Sequence, residues 1–231
     1  MAPARISVVI PVFNGERFLA DAIESCLAQT LAPAEVIVVD DGSTDGSAGV
    51  AESFGPPVRL VGIEHQGVSV ARNTGVARSS GDLIAFVDAD DLMKPQRLEL
   101  QVAAMEKQPG LAFVLGRADF RLEDGLEPPE FDAGKLAPIA QGRERYWAMT
   151  LMATRQAFDQ IGPFEPSMEI GQDSDWVMRA FESGLPYALL EEPLIERRYH
   201  GGNTTYDTAG ARRASFDVLR RRAARHRAGS D

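Results

Sequence analysis

Four apolar runs, at 6–13, 35–39, 58–63 and 83–87, each followed by residues at helical spacing, fill the first 107 positions. A strand that recurs with a helical stretch after it leaves few folds open, because it reads as βα units and so as a sheet of mostly parallel strands with right-handed crossovers. The first helix is expected over 16–29, with Phe18, Leu19, Ala22, Ile23, Cys26 and Leu27 on one face. Thr44 can cap a second helix that runs to about Phe54, and Pro56-Pro57 break the chain before the third strand. The glycine-bounded stretch GVSVARNTGVARSSG reads as a third helix, and Pro95 as the first residue of a fourth that ends near Lys107.

The second half is less regular. A strand is expected over 112–122, interrupted at Gly116, and then the turn-rich acidic stretch EDGLEPPEFDAGKLAP reads as a mobile loop. Residues 146–154 fit a strand or a short helix equally well; 172–183 fit a helix ended by Gly184, and 187–190 a short strand. With no internal repeat and no dividing linker, one domain is expected: a regular half over about 1–110, a less regular half over about 111–205 and an Arg-rich helix over about 208–227.

The segment LIAFVDADDLMKP concentrates the chemistry. Its continuous apolar run suits a strand buried on both faces, and three carboxylates, Asp88, Asp90 and Asp91, follow at the strand's carboxyl end. Open α/β sheets place their ligands there. A single Asp would read as a turn or helix cap. Three in four residues repel one another unless a partner neutralises them, which points to an oxygen-lined site for Mg²⁺ or Mn²⁺.

Composition narrows the classes. At 231 residues with 44% hydrophobic content the chain is expected to be globular, and no run approaches the ~18 apolar residues of a membrane span. The first strand follows the N-terminus without a cleavage-site pattern, so a signal peptide is not expected. The single cysteine, Cys26, forms no intrachain disulfide and reads as inert core; a cytoplasmic location follows as the default. A net charge of −10 argues against nucleic-acid binding.

Asp40 and Asp41 close the second strand, and would share a crevice with Asp88 and Asp90 if strands one, two and four lie side by side. Such a floor suits a nucleotide, since carboxylates accept from base N–H groups and ribose hydroxyls while a metal binds phosphates. Asp41-Gly42 alone also reads simply as a turn. Arg72 and Asn73 could reach a pyrophosphate from the third helix. Neither G-x-G-x-x-G nor G-x-x-x-x-G-K-[ST] is present, so the two glycine-rich phosphate cradles are excluded.

Four ordered blocks, ISVVIPVFNGERFLADAIESCLAQT, EVIVVDDGSTDGS, GVSVARNTGVARSSGDLIAFVDADDLMKP and IGPFEPSMEIGQDSDWVMRA, together resemble glycosyltransferase family two, the inverting nucleotide-sugar transferases of GT-A fold. The resemblance spans about 6–205. It implies a nucleoside-diphosphate sugar donor, with a uridine base the commonest in the family, and a divalent metal held by a D-x-D motif, here Asp88-Ala89-Asp90. The first Asp of that motif is implied to meet the ribose and the last the metal. Asp41 matches the base-recognising residue, Pro11 to Phe13 the strand end beside it, and Arg72 with Asn73 the block near the pyrophosphate. Asp173 matches the catalytic base, with Gln172 where Glu is usual and Asp175 as a second acidic residue. His200, in RRYHGGNTT, matches a residue that approaches the metal or the diphosphate.

The implied reaction is one in-line displacement, with Asp173 taking a proton from an acceptor hydroxyl. The acceptor, whether glycan, lipid, peptide or small molecule, is left open, and so is Asp175 as an alternative base. No Q-x-x-R-W block of the processive synthases is present. A nucleotidyltransferase fits less well, because PVFNGERF lacks a basic glycine-rich loop. A non-catalytic nucleotide-sugar binder is the other alternative, and Gln172 lends it some weight.

The tail stands apart. From Arg197 onward nine Arg face three Asp, a local +6 that leaves −16 for the rest of the chain. A helix there would carry Phe216, Leu219 and Ala223 beside arginines. It would make a peripheral contact with an anionic membrane or a partner, or fold back on the acidic remainder of the protein.

Overall fold

The computed structural model describes residues 4–126, 147–203 and 208–228. The four apolar runs form β1 (Ile6–Val12), β2 (Glu35–Asp40), β3 (Val58–Gly62) and β4 (Leu83–Phe86), which pair in parallel in the order β3-β2-β1-β4. Side chains alternate across this sheet, so helices are needed on both faces. On one face Val8, Ile10 and Val12 pack with Leu19 and Ile23 of α1 (Glu16–Leu27) and Leu98 of α4 (Arg97–Lys107). On the other, Val9, Ile37 and Ile84 pack with Ala71 of α3 (Val68–Arg78). Each such buried aliphatic side chain contributes roughly 1.5–3 kcal/mol relative to exposure. Helix α3 lies so close to β1 that a Cβ on Gly75 would stand 2.2 Å from Val9 Cγ1. That approach offsets the helix propensity glycine lacks.

Helix α2 (Ser47–Phe54) begins three residues after Thr44, which therefore does not cap it. The Thr44 amide instead donates to Asn14 Oδ1 at 2.8 Å, tying the loop after β2 to the loop after β1. Pro95 likewise precedes α4, whose first residue is Arg97. Cys26 is fully buried, and burial pushes its thiol up to about 12, as inert core requires.

Four more strands continue the same sheet as β4-β7-β6-β8-β5: β5 (Leu92–Met93), β6 (Phe113–Leu122), β7 (Trp147–Thr154) and β8 (Tyr187–Tyr199). β7 runs antiparallel to both β4 and β6, and β5 antiparallel to β8, so the sheet is mixed beyond β4. The ambiguous stretch is thus a strand, with Tyr146 outside the described residues. The strand expected over 187–190 continues to Tyr199 through Glu191-Glu192-Pro193.

Gly116 interrupts β6 as expected: its register with β7 and with β8 shifts there, and a Cβ would lie 2.4 Å from Leu194 Cδ1. The short helix α5 (Arg155–Ile161) was not expected; Thr154 caps it by accepting from the Ala157 amide at 3.1 Å. Helices α6 (Gln172–Glu182) and α7 (Thr208–Ala228) complete the described elements. Most of the acidic loop expected after β6, from 127 onward, lies outside the described residues.

Candidate active site

β1 sits between β2 and β4, so the crevice at their carboxyl ends is the topological switch point of the sheet. At the β2 end the Asp41 amide donates to Val12 O at 2.9 Å. Its carboxylate accepts from the Gln66 and Gly67 amides, each at 2.8 Å, while His65 Nδ1 stands 2.9 Å from Asp41 Oδ2. The His65 ring stacks on Phe13 with centroids 4.1 Å apart. Pro11, Phe13, Asp41, His65, Gly67 and Ala71 line a pocket open to solvent. Gly42, at φ 75°, holds this corner together, since a Cβ there would be 2.9 Å from the His65 amide nitrogen.

At the β4 end the acidic residues form a turn, closed by the Asp91 amide on Asp88 O at 3.0 Å. Carboxylate oxygens of Asp88, Asp90 and Asp91 lie within 4.8 Å of one another. Each carboxylate also meets a donor of the protein. Arg72 donates to Asp88 Oδ1 at 2.7 Å, and Asn203 Nδ2 to Asp90 Oδ2 at 2.9 Å, where His200 Nε2 lies 3.1 Å away. The Arg198 amide donates to Asp91 Oδ1 at 3.0 Å.

The cluster is therefore partly compensated by protein donors, one of the two kinds of partner that the repulsion calls for, a cation being the other. Burial, with Asp90 and Asp88 adding to it, still pushes the Asp91 carboxyl well above its usual range. Three hard oxygen donors plus an imidazole fit a divalent cation such as Mn²⁺ or Mg²⁺. The strand pairing explains how distant residues arrive: β5 follows the turn directly and pairs with β8, whose end delivers Arg198 and His200. Phe18 of α1 supports the His200 ring at 4.3 Å. Ala89, between the two motif carboxylates, packs against the apolar cluster on the α1 face.

Arg72 is 4% exposed and sits on Asp88, with its guanidinium 5.7 Å from the Phe164 ring. Burial lowers its pKa, but the carboxylates of Asp88, Asp173 and Asp90 outweigh burial and raise it above the arginine norm. Its NH1 has no hydrogen-bond partner among the described residues. Asn73 follows Arg72 on α3. Its carboxamide donates to Phe164 O and accepts from the Phe164 amide, both at 2.8 Å, so it fastens α3 to the segment before α6.

Asp173 stands half-buried in the first turn of α6 and accepts from the Ser174 amide at 2.6 Å. The helix N-cap is Gly171, so Asp173 is not the cap. Asp175 is 2% exposed and has both oxygens in ion pairs, Oδ2 with Arg179 at 2.9 Å and Oδ1 with Arg225 at 3.0 Å. Gln172 is buried, and its Oε1 has no partner among the described residues. His65 and Asn203 had escaped the sequence reading. His65 could have been suspected as a ring shortly after the third strand and two residues before a glycine that opens a helix; no local signal marks Asn203.

The tail helix folds back on the protein. Arg221 pairs with Glu165 at 3.1 Å, Arg222 with Glu182 at 2.9 Å, and Arg225 with Glu182 as well as Asp175. Val218 is buried on the same face. Phe216, at 72% exposure, and Ala223 point away from it, and Arg220 lies outward too, in a pair with Asp217. The expected apolar stripe is thus on the outer side.

A family model described as glycosyl transferase family 2 matches residues 7–163. An uncharacterised glycosyltransferase of Nostoc (strain PCC 7120) is 41% identical over 221 residues, covering 90% of this chain and 68% of that protein. The chain spans between about one third and two thirds of the curated relatives it first matches. In three dimensions it is similar to TarS of S. aureus, solved with UDP-GlcNAc, with a TM-score of 0.70 at 20% identity, over 87% of this chain and 60% of that one. It is also similar to glucosyl-3-phosphoglycerate synthase of Mycobacterium tuberculosis, solved with Mn²⁺, UDP and phosphoglyceric acid. There the TM-score is 0.69 at 23% identity, over 94% of this chain and 77% of that one. Fold and matched blocks agree: the chain has the GT-A arrangement and belongs to glycosyl transferase family 2.

Proposed function

We propose that the chain transfers a single sugar from a nucleoside-diphosphate sugar, uridine-based by analogy with the two solved neighbours, to an acceptor hydroxyl with inversion. The observation that carries this reading is Arg72, a buried guanidinium at the switch point with NH2 on Asp88 and NH1 without a partner among the described residues. An unpaired buried donor costs about 1–3 kcal/mol, and an anionic phosphate is the group that would relieve it.

In this reading Asp41 accepts from a base N–H, and the Phe13–His65 stack offers the base a flat apolar surface. Asp88 faces the ribose, and Arg72 takes a phosphate oxygen. Asp90, with His200 beside it, would hold Mn²⁺ or Mg²⁺, which supplies charge neutralisation at the departing diphosphate. Asp173 takes the proton of the acceptor hydroxyl while that oxygen bonds to the anomeric carbon and the bond from that carbon to the diphosphate breaks on the opposite face. Asp175 suits that task poorly, because two arginines occupy its oxygens.

A thermal-shift screen of UDP, GDP and TDP, with and without Mn²⁺, tests the donor. At a hundredfold excess over Kd one of them should raise Tm by about 5–10 °C, more with the cation than without. A shift by nucleoside triphosphates alone would favour nucleotidyl transfer instead. Slow hydrolysis of the matching nucleotide sugar would set an enzyme apart from a binding homologue.

For the tail, the ion pairs on its inner face support docking on the protein's own surface over capture by lipid. The protein is expected to stay in the supernatant with anionic vesicles at low salt and at ~0.5 M, where screening confines the arginines' reach to a few Å. Pelleting at low salt that high salt reverses would reinstate a membrane contact.

A further inference from the structure

We propose that α7 is a positioning element for the transfer reaction, a clamp that holds the helix carrying Asp173; this rests on the reading of Asp173 as the base. The family model ends at residue 163, so neither α6 nor α7 falls within it. Helix α6 is fixed on one side by its core face. Trp176 packs among Phe158, Phe164 and Phe113, and its Nε1 donates to Gly162 O at 2.9 Å. Arg179 donates to Ile161 O and Pro163 O, each at 2.7 Å.

The remaining side is held by α7. Arg225 spans two turns of α6, reaching Asp175 at 3.0 Å and Glu182 at 3.2 Å, while Arg222 adds a second contact to Glu182. Arg221 holds Glu165 and Ser167 in the segment that leads into α6, which Asn73 ties to α3 through Phe164.

Asp175 is the hub of this arrangement. It is 2% exposed, its two oxygens face one arginine from each side, and it lies two residues after Asp173 in the same first turn. Removing Arg225 leaves Arg179 on Oδ2 but strips Oδ1 of this buried carboxylate of its partner, and the structure relaxes to hydrate that oxygen. Here relaxation means loosening of the first turn of α6, where Asp173 sits. A base displaced by about 1 Å from its productive position forfeits on the order of 10²-fold in rate without any loss of donor affinity.

Arg225→Met, which keeps the length of the side chain, is the test, with Arg225→Lys as the conservative rescue and Glu182→Gln as a milder second variant. Three quantities are read: UDP affinity by calorimetry in Mn²⁺, hydrolysis of UDP-GlcNAc, and hydrogen exchange of the α6 amides in the otherwise intact protein. Arg225→Met should speed exchange of the amides at 173–177 at least tenfold and lower kcat at least fivefold. UDP affinity and KM should stay within twofold, and Lys should restore most of the loss. Glu182→Gln should move the same quantities in the same direction by less.

Unchanged exchange at 173–177 would overturn the clamp, and so would kcat and UDP affinity falling together. Failure of the base assignment reads differently: Asp173→Asn would then leave hydrolysis intact while Arg225→Met still loosens α6.

Discussion

Asp90→Asn should abolish metal-dependent donor binding while the protein remains folded. The fold survives because an asparagine carbonyl still accepts from Asn203 Nδ2, which meets the Asp90 carboxylate at 2.9 Å. What disappears is the charge, and a neutral amide is a far weaker ligand for a hard divalent ion than a carboxylate. Calorimetric titration of UDP in Mn²⁺ should show affinity lowered at least tenfold, about 1.4 kcal/mol, with the metal-free affinity little changed. Equal affinity in variant and parent would remove Asp90 from the metal site, and circular dichroism of the variant separates that outcome from unfolding.

Asp173→Asn should do the reverse, sparing UDP affinity and lowering transfer by 10² or more, about 2.7 kcal/mol in barrier height. The comparison with Asp175→Asn decides between the two carboxylates of this turn. Asp175 is enclosed by Arg179 and Arg225, so its neutral variant should chiefly lower Tm and loosen the helix. Loss of a general base also removes the acid limb of the pH–kcat profile, whereas a misplaced base keeps it. A retained acid limb in Asp173→Asn together with its loss in Asp175→Asn would move the assignment by two residues.

The sheet up to β4 was legible because runs such as Leu83–Phe86 are buried on both faces and need no partner to be recognised. The carboxylates after it were legible for the converse reason, that charge at the end of such a run demands explanation. β5 and α5 were hidden by length: two and seven residues hold too little of a period to show. The latter half of β8 was hidden by Glu191-Glu192-Pro193, which reads as a break until Arg117 is seen to oppose Pro193 beside the Gly116 bulge.

The site divides in the same way. Asp41, Asp88 and Asp90 stand in motifs that a short window contains. Asn73 on Phe164 is a contact across 91 residues, and Asn203 on Asp90 one across 113, so only the folded chain could assign them. The tail showed its charge at once. That its arginines face Glu165, Asp175 and Glu182 depends on the packing of α7 on α6.

The strand arrangement also bears on solubility. A sheet of eight strands has two borders, and an uncovered border with free amides and carbonyls invites pairing with another molecule. On one border β3 is only five residues long, and Arg59 within it is tied to Glu35 at 3.1 Å. On the other, among the described residues, β5 covers β8 for just two residues, Glu196 and Ile195. The stretch of β8 before them carries Glu191, Glu192 and Pro193: two charges that repel an approaching strand and a ring nitrogen with no hydrogen to donate. The residues that disguised β8 as a loop are thus the ones that keep its border from templating aggregation.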